Sequence, residues 1–346
     1  MTNSELSITL EQALPLLPSR LQEKVQYSVD LLRKAERLAT AYDPANGYYL
    51  AFSGGKDSQC LYHAARLAGV KFRAHMNLTS VDPPEVIRFV RREYPDVELI
   101  KPRDSIFNIA VKKNILPTMR VRWCCEEYKE TAGAGKVTLI GIRRSESVRR
   151  ARRNEVEISN RKYSGTLAGL EAYREQAGKR KRPTDGKEVN ITNAKGERTL
   201  GCIHGKESLL ISPLISWTEA DVWLFLNALQ IRHCELYDQG FHRIGCLGCP
   251  MSQPAQKILE NKRWPHIKRN WINAIKRIRS GGYSERPGLG GTSHCQTSTS
   301  QQTSPPPKTR QESSLTFTAT PAIGKRRNTG VWSSTASFQK APHLSA

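Results

Sequence analysis

A short apolar run, Tyr48 to Phe52, leads directly into Ser53-Gly54-Gly55-Lys56-Asp57-Ser58. Helical spacing then resumes at Leu61, Ala64, Ala65 and Ala68, and Gly69 closes it. No other feature restricts the fold of this chain as much as a buried strand that turns through two glycines into a helix. The glycines let the backbone approach an anion closely. The helix that follows offers unpaired N–H groups and a positive dipole end. Ser53 and Ser58 add hydroxyls and Lys56 adds charge. Asp57 adds a carboxylate suited to a magnesium ion or to orienting the loop. The Gly-x4-Gly-Lys spacing of a Walker A loop is absent.

The surrounding pattern predicts the layers that hold this loop. Leu21, Val25, Val29, Leu32, Ala35 and Leu38 form one apolar face of a helix over residues 18–41. Strands are expected at Val70 to Met76, Val97 to Ile100 and Val137 to Ile142, with helices at Pro83 to Tyr94 and Ser105 to Lys113. Alternation of this kind predicts an α/β fold with a doubly wound parallel sheet, which binds ligands at the carboxyl ends of its strands. Both Ser53–Ser58 and the segment from Gly141 fall there.

The reading divides the chain into an N-terminal helical segment (1–44), a nucleotide-binding α/β domain (45–158), a basic insertion (159–207) with a small hairpin around Asn193–Gly196, a C-terminal part (208–280) and a disordered tail (281–346). In the C-terminal part, Thr218-Glu219-Ala220-Asp221 forms a capping box, and Gln256 to Arg279 is a basic helical stretch. About a third of the tail is Ser or Thr, without periodicity.

The formal net charge is +22. Residues 141–187 contribute +8, residues 252–280 +7 and residues 281–346 +5. A polyanionic partner is implied: a nucleotide, a sulfate-bearing substrate or nucleic acid. No run of apolar residues is long enough to span a membrane. Met1 to Leu10 lacks the basic and apolar regions of a secretory signal, so a cytoplasmic location with reduced or metal-bound thiols is expected for the eight cysteines. Two pairs stand out, Cys124-Cys125 and Cys246-x-x-Cys249. Four thiolates suit an iron–sulfur cluster or a zinc ion. Cys60 and Cys234 read as core residues, as do Trp217 and Trp223, while Asn77 to Glu85 is a weak candidate to border a nucleoside.

The Ser53–Ser58 string resembles the PP-loop of the ATP pyrophosphatase superfamily, an adenine nucleotide alpha hydrolase-like fold. Gly141-Ile142-Arg143-Arg144-Ser145-Glu146-Ser147-Val148-Arg149-Arg150 is similar to the second phosphate- or sulfate-binding segment of the phosphoadenylyl-sulfate (PAPS) reductase family. Ser212-Pro213-Leu214 through Trp217-Thr218 to Asp221-Val222-Trp223, then Leu236 to Phe241, then Ile244 to Pro250 follow in that family's order. The resemblance covers residues 45–250. It implies nucleotide or sulfate binding by Ser53, Gly54, Gly55, Lys56, Asp57, Ser58, Gly141, Arg143 and Arg150. It also implies a 4Fe–4S cluster on Cys124, Cys125, Cys246 and Cys249, with zinc as the alternative metal.

The expected activity is reduction of an adenylylated sulfate, PAPS or adenylyl sulfate (APS), to sulfite in sulfate assimilation, with a thioredoxin-like or other thiol donor. The sequence departs from the sulfite-forming enzymes in two places. Glu126-Glu127-Tyr128-Lys129 follows the cysteine pair where an Arg-Lys pair is usual, and no Glu-Cys-Gly-Leu/Ile-His-like motif carries a catalytic thiol. Cys295 lacks its flanking residues, and Cys202 reads as a loop thiol. Two alternatives therefore stay open. One is an ATP-dependent adenylating sulfurtransferase, using Mg2+ and acting on tRNA, DNA or a small molecule. The other is a non-catalytic nucleic-acid-binding relative. The catalytic residue and the oligomeric state are not fixed by the sequence.

Overall fold

The computed structural model of the protein describes residues 2–159, 163–179 and 207–281. After α1 (Leu10–Ala13), α2 (Ser19–Tyr42) buries Leu21, Val25, Val29, Leu32, Ala35 and Leu38, the face expected from their spacing. Tyr48 fastens this helix to the first strand by donating its hydroxyl to Leu32 O at 2.7 Å. The chain continues through β1 (Tyr48–Ala51), α3 (Lys56–Ala68), β2 (Phe72–Asn77), α4 (Pro84–Glu93), β3 (Glu98–Ile100), α5 (Ile106–Lys113) and α6 (Trp123–Cys125). It then forms β4 (Val137–Leu139), α7 (Val148–Ala151), β5 (Val156–Ile158), β6 (Ser164–Gly165), α8 (Leu167–Lys179), β7 (Leu209–Ile211), α9 (Glu219–Ala228), α10 (Pro254–Arg263) and α11 (Pro265–Arg279).

The seven strands lie in the order β3-β2-β1-β4-β7-β5-β6. Pairing is parallel from β3 through β7. β5 runs antiparallel to both β7 and β6, so the doubly wound parallel sheet carries an antiparallel edge. From β1 the chain winds outward to β2 and β3 on one side, and β4 is laid on the other. The direction of winding therefore reverses at β1, which makes the carboxyl ends of β1 and β4 the switch point where open α/β sheets place their ligands.

Two segments differ from the sequence expectation. Ser164–Gly165 pairs with β5, and Leu167 and Leu170 of α8 are buried, so the first part of the expected insertion packs on the fold. The proposed hairpin around Asn193–Gly196 and nearly all of the tail fall outside the described residues. The basic stretch 256–279 is two helices. They part at Trp264, whose backbone (φ −123°, ψ 64°) is non-helical because Pro265 crowds the residue before it and has no N–H to offer. Among the described residues no helix is long and apolar enough to cross a membrane.

α9 begins with the expected capping box, in which Asp221 accepts from Thr218 N–H at 2.8 Å. Asp221 is fully buried and also takes Lys24 Nζ at 2.6 Å and Arg20 Nη2 at 3.0 Å. Burial pushes its pKa up, but Lys24 and Thr218 more than offset this and bring it to about 2.

Candidate functional site

The loop after β1 is built by its own side chains. Ser53 N–H donates to Ser58 Oγ at 3.2 Å, and the Ser58 hydroxyl donates to Gly55 O at 2.8 Å. Gly54 has φ +71°, and a Cβ there would sit 2.8 Å from both Val86 Cγ1 and Val90 Cγ2 of α4. Only glycine fits this position on both counts. The segment after β4 closes on the loop from the other side. A Cβ on Gly141 would lie 2.9 Å from the Asp57 carbonyl oxygen, so the two backbones touch only because Gly141 carries no side chain.

Arg143 is nearly fully buried at this junction. Its Nε donates to Asp57 Oδ1 at 2.6 Å and its Nη1 to Ser145 Oγ at 3.0 Å. Glu146 accepts from Arg143 N–H at 2.9 Å and pairs through its other oxygen with Arg150. The two arginines named from the sequence are thus both close to the loop-facing segment. Arg143 is turned onto Asp57, while Arg150 is partly exposed and neutralised by Glu146.

Lys56 takes a different part from that expected of a cation in an anion loop. Its ammonium is buried and donates to His242 O at 3.1 Å. Glu219 Oε1 is 3.3 Å away, and the Tyr237 and Trp223 ring centroids are 5.4 and 6.0 Å away. Its backbone N–H donates to the Tyr237 hydroxyl at 2.9 Å. Lys56 therefore ties the loop to the segment running from Glu219 to His242. Of the two tryptophans expected in the core, Trp217 is buried. Trp223 is only partly buried and stands edge-on to Tyr237 and His233 beside the Lys56 ammonium.

The two cysteine pairs, distant in sequence, meet on the β2 side of the loop. Thr79, just beyond β2, donates to Cys246 Sγ at 3.4 Å, and Leu247 N–H donates to Val81 O at 2.8 Å. The segment 77–85 thus meets the Cys246 loop. Lys129 Nζ donates to Cys246 Sγ at 3.2 Å, and Arg122 Nη2 donates to Cys125 Sγ at 2.9 Å. The Cys124 thiol and Arg122 pull the Cys125 pKa down to about 5. The hydrogen bond between the Cys124 and Cys125 thiols in turn raises Cys124, reinforced by burial and by the charges of Cys125, Cys246 and Cys249. Burial opposes the charge of Lys129, but Cys246 and Asp82 outweigh it and hold its pKa above the ordinary lysine value.

Among the described residues, no group of three or more His, Cys, Asp or Glu is arranged to hold a metal ion. The donor chemistry nonetheless fits a thiolate-ligated group. Four partly buried thiols lie within electrostatic reach of one another, with two cations on their sulfurs to offset negative charge. Cys60 and Cys234 are core residues as expected, whereas Cys202 and Cys295 lie outside the described residues. Sequence reasoning did not single out Arg122 or Lys129 as site residues, and it held Thr79 and Tyr237 only within the segments 77–85 and 236–241. For the first two a signal existed: each lies within five residues of the Cys124-Cys125 pair.

A family model described as the phosphoadenosine phosphosulfate reductase domain matches residues 47–252. An uncharacterized protein of Methanocaldococcus jannaschii is 26% identical over 244 residues, which are 68% of this chain and 48% of that protein. The adenosine 5'-phosphosulfate reductase of Bacillus pumilus is 33% identical over 58 residues, covering 17% of this chain and 25% of the enzyme. Among solved structures, the FMN adenylyltransferase of Candida glabrata, in complex with FAD and inorganic pyrophosphate, is 15% identical with a TM-score of 0.38 over 66% of this chain and 63% of that one. The chain spans about half the length of the first curated relatives it matches.

Proposed function

The chain belongs to the phosphoadenosine phosphosulfate reductase family, and on that premise we propose that it binds an adenylylated sulfate, PAPS or APS, at the Ser53–Ser58 loop and reduces it to sulfite. The observation that carries this reading is the meeting of Cys124-Cys125 with Cys246-x-x-Cys249 against the segment after β2, with Arg122 and Lys129 on their sulfurs. In this reading the glycines and the start of α3 receive the phosphate and sulfate oxygens. Ser53, Ser58 and Arg143 complete the anion site, and Lys56 with Tyr237 holds the wall formed by the Glu219–His242 segment. Reduction breaks the bond between the sulfur and the bridging oxygen, and the nucleotide leaves with that oxygen. An external thiol donor supplies the two electrons, its thiol pair becoming a disulfide as the sulfate sulfur becomes sulfite. Cys124, Cys125, Cys246 and Cys249 would hold a 4Fe–4S cluster, which would supply a redox-active, thiolate-ligated centre when bound. Arg122 and Lys129 balance its charge.

A second reading is supported by Asp57, a partly exposed carboxylate on the loop itself. In it, ATP with Mg2+ is the substrate and pyrophosphate the product. Both readings are tested in one experiment. The purified chain, reconstituted anaerobically with iron and sulfide, is given PAPS or APS with a thiol donor, or ATP with Mg2+, and sulfite and pyrophosphate are followed. Sulfite formation is expected. Pyrophosphate from ATP without any sulfite would refute the reductase reading in favour of the second.

A further inference from the structure

Lys268, Arg269, Lys276, Arg277 and Arg279 of α11 are all exposed, and the helix contains no carboxylate. Elsewhere on the fold cations are commonly matched: Lys24 with Asp221, Arg73 with Glu98, Lys136 with Asp43 and Arg153 with Glu157. Among the described residues none of the five α11 cations has a carboxylate partner; Arg277 donates to Asn108 Oδ1 at 3.0 Å.

The other side of α11 is fixed in place. Ile267 and Ala274 are buried, and Trp271 stands edge-on to Phe107 of α5 with ring centroids 4.9 Å apart. The same helix backs the second cysteine pair. A Cβ on Gly248 would lie 3.3 Å from Trp271 Nε1 and 3.5 Å from Ile267 Cγ2. The basic face is therefore held in a set relation to Cys246 and Cys249.

From Lys268 to Arg279 the cations extend about 16 Å along the helix axis, at 1.5 Å per residue. One nucleotide, with its charges gathered at one end, cannot engage them together. A nucleic-acid duplex, with about one negative charge per 1.7 Å of axis, can. Insertion of the helix into a membrane surface would need its apolar face free, and that face is packed on α5 and the Cys246–Cys249 loop. We propose that the exposed face of α11 binds the phosphodiester backbone of a nucleic-acid duplex and holds it beside the second cysteine pair. This surface is independent of the chemistry at the nucleotide loop.

The test is a titration of the full chain, and of a Lys268→Gln/Lys276→Gln/Arg279→Gln variant, with a DNA duplex and an RNA duplex of equal length from 50 to 200 mM salt. Each lost phosphate contact lowers the slope of log K against log salt by about 0.9. The variant should therefore lose about 2.7 in slope, and the affinity lost across that fourfold salt range should shrink by about 40-fold. The cations beyond residue 281 are the same in both proteins, so the difference reports α11 alone. A Lys268→Arg/Lys276→Arg variant should keep the wild-type slope, which separates lost charge from lost fold. Slope loss in either arm supports the proposal and names the polymer. An unchanged slope in both arms, no binding at 50 mM salt, or equal binding to anionic phospholipid vesicles would overturn it.

Discussion

Arg143 has little access to water, so its stability depends on what it touches. Asp57 supplies the compensating charge at 2.6 Å and Ser145 a neutral oxygen at 3.0 Å. Asp57→Asn keeps the shape of the side chain and removes the charge. A hydrogen bond to a charged group contributes about 1.5–3 kcal/mol, and breaking a buried ion pair from one side costs about 3–5 kcal/mol. The Asp57 side chain is 26% exposed, which places the expected loss near the overlap, at about 2–3 kcal/mol. For a domain of this size each kcal/mol moves Tm by about 2–4 °C, so thermal unfolding should fall by about 4–12 °C. The pair itself is isolated by a double-mutant cycle with Asp57→Ala and Arg143→Ala, expected to show about 2 kcal/mol of coupling. An anion in the site should substitute for the missing carboxylate, so adenylyl sulfate should raise the Tm of Asp57→Asn more than that of the wild type. If the two single losses add to within about 0.5 kcal/mol, Arg143 is not held by Asp57 and the reasoning fails.

Gly54→Ala brings a methyl group to 2.8 Å from Val86 and Val90 at a positive φ. Overpacking and backbone strain should together cost about 2–4 kcal/mol, read by urea unfolding, with nucleotide affinity lost in parallel. In metal-free protein Cys125 should remain a thiolate well below neutral pH, because its pKa is about 5. Iodoacetamide labelling of Cys125 should then stay nearly constant from pH 8 to pH 6, and Arg122→Ala should shift the profile upward. Since this pKa is depressed in the fold, its contribution to stability is complete above the unfolded value near 9 and is lost as pH falls toward 5. Asp221 follows the same sign at lower pH. Its folded pKa of about 2, against 3.8 unfolded, contributes on the order of 2 kcal/mol above pH 4 that is lost as pH falls toward 2. Asp221→Asn should flatten that part of the acid-unfolding curve, and an unchanged curve would contradict the assignment.

The parts of this protein legible in its sequence are those set by local periodicity. The apolar face of α2, the strand–loop–helix around Gly54 and the capping box at Thr218 are each determined by residues within a few positions of one another. The antiparallel edge is not legible in the sequence, because β5 and β6 are too short to show alternation, β5 gaining its place by pairing with the distant β7 and β6 by pairing with β5. In the site, the residue types were readable but their orientations were not. Lys56 sits in an anion loop yet points into a wall made by residues nearly two hundred positions away, because Tyr237 and His242 bond its backbone and its ammonium. Trp223 reads as core in the sequence; it packs against the core but is only partly buried, and the turn of α9 places it beside that ammonium. The cations on the cysteines follow the same rule: Arg122 is adjacent in sequence to its target region, whereas Lys129 reaches Cys246, 117 positions away, only in the folded chain.

The central claim is that Gly54, Gly141 and Arg143 form one anion site for an adenylylated sulfate. Calorimetric titration of adenylyl sulfate into the full chain and into Arg143→Ala tests it most directly. One site per chain is predicted, with affinity reduced about tenfold to a hundredfold in the variant, the loss of one charge-assisted hydrogen bond. Equal affinity in the two proteins, or no binding to the wild type, would contradict the account.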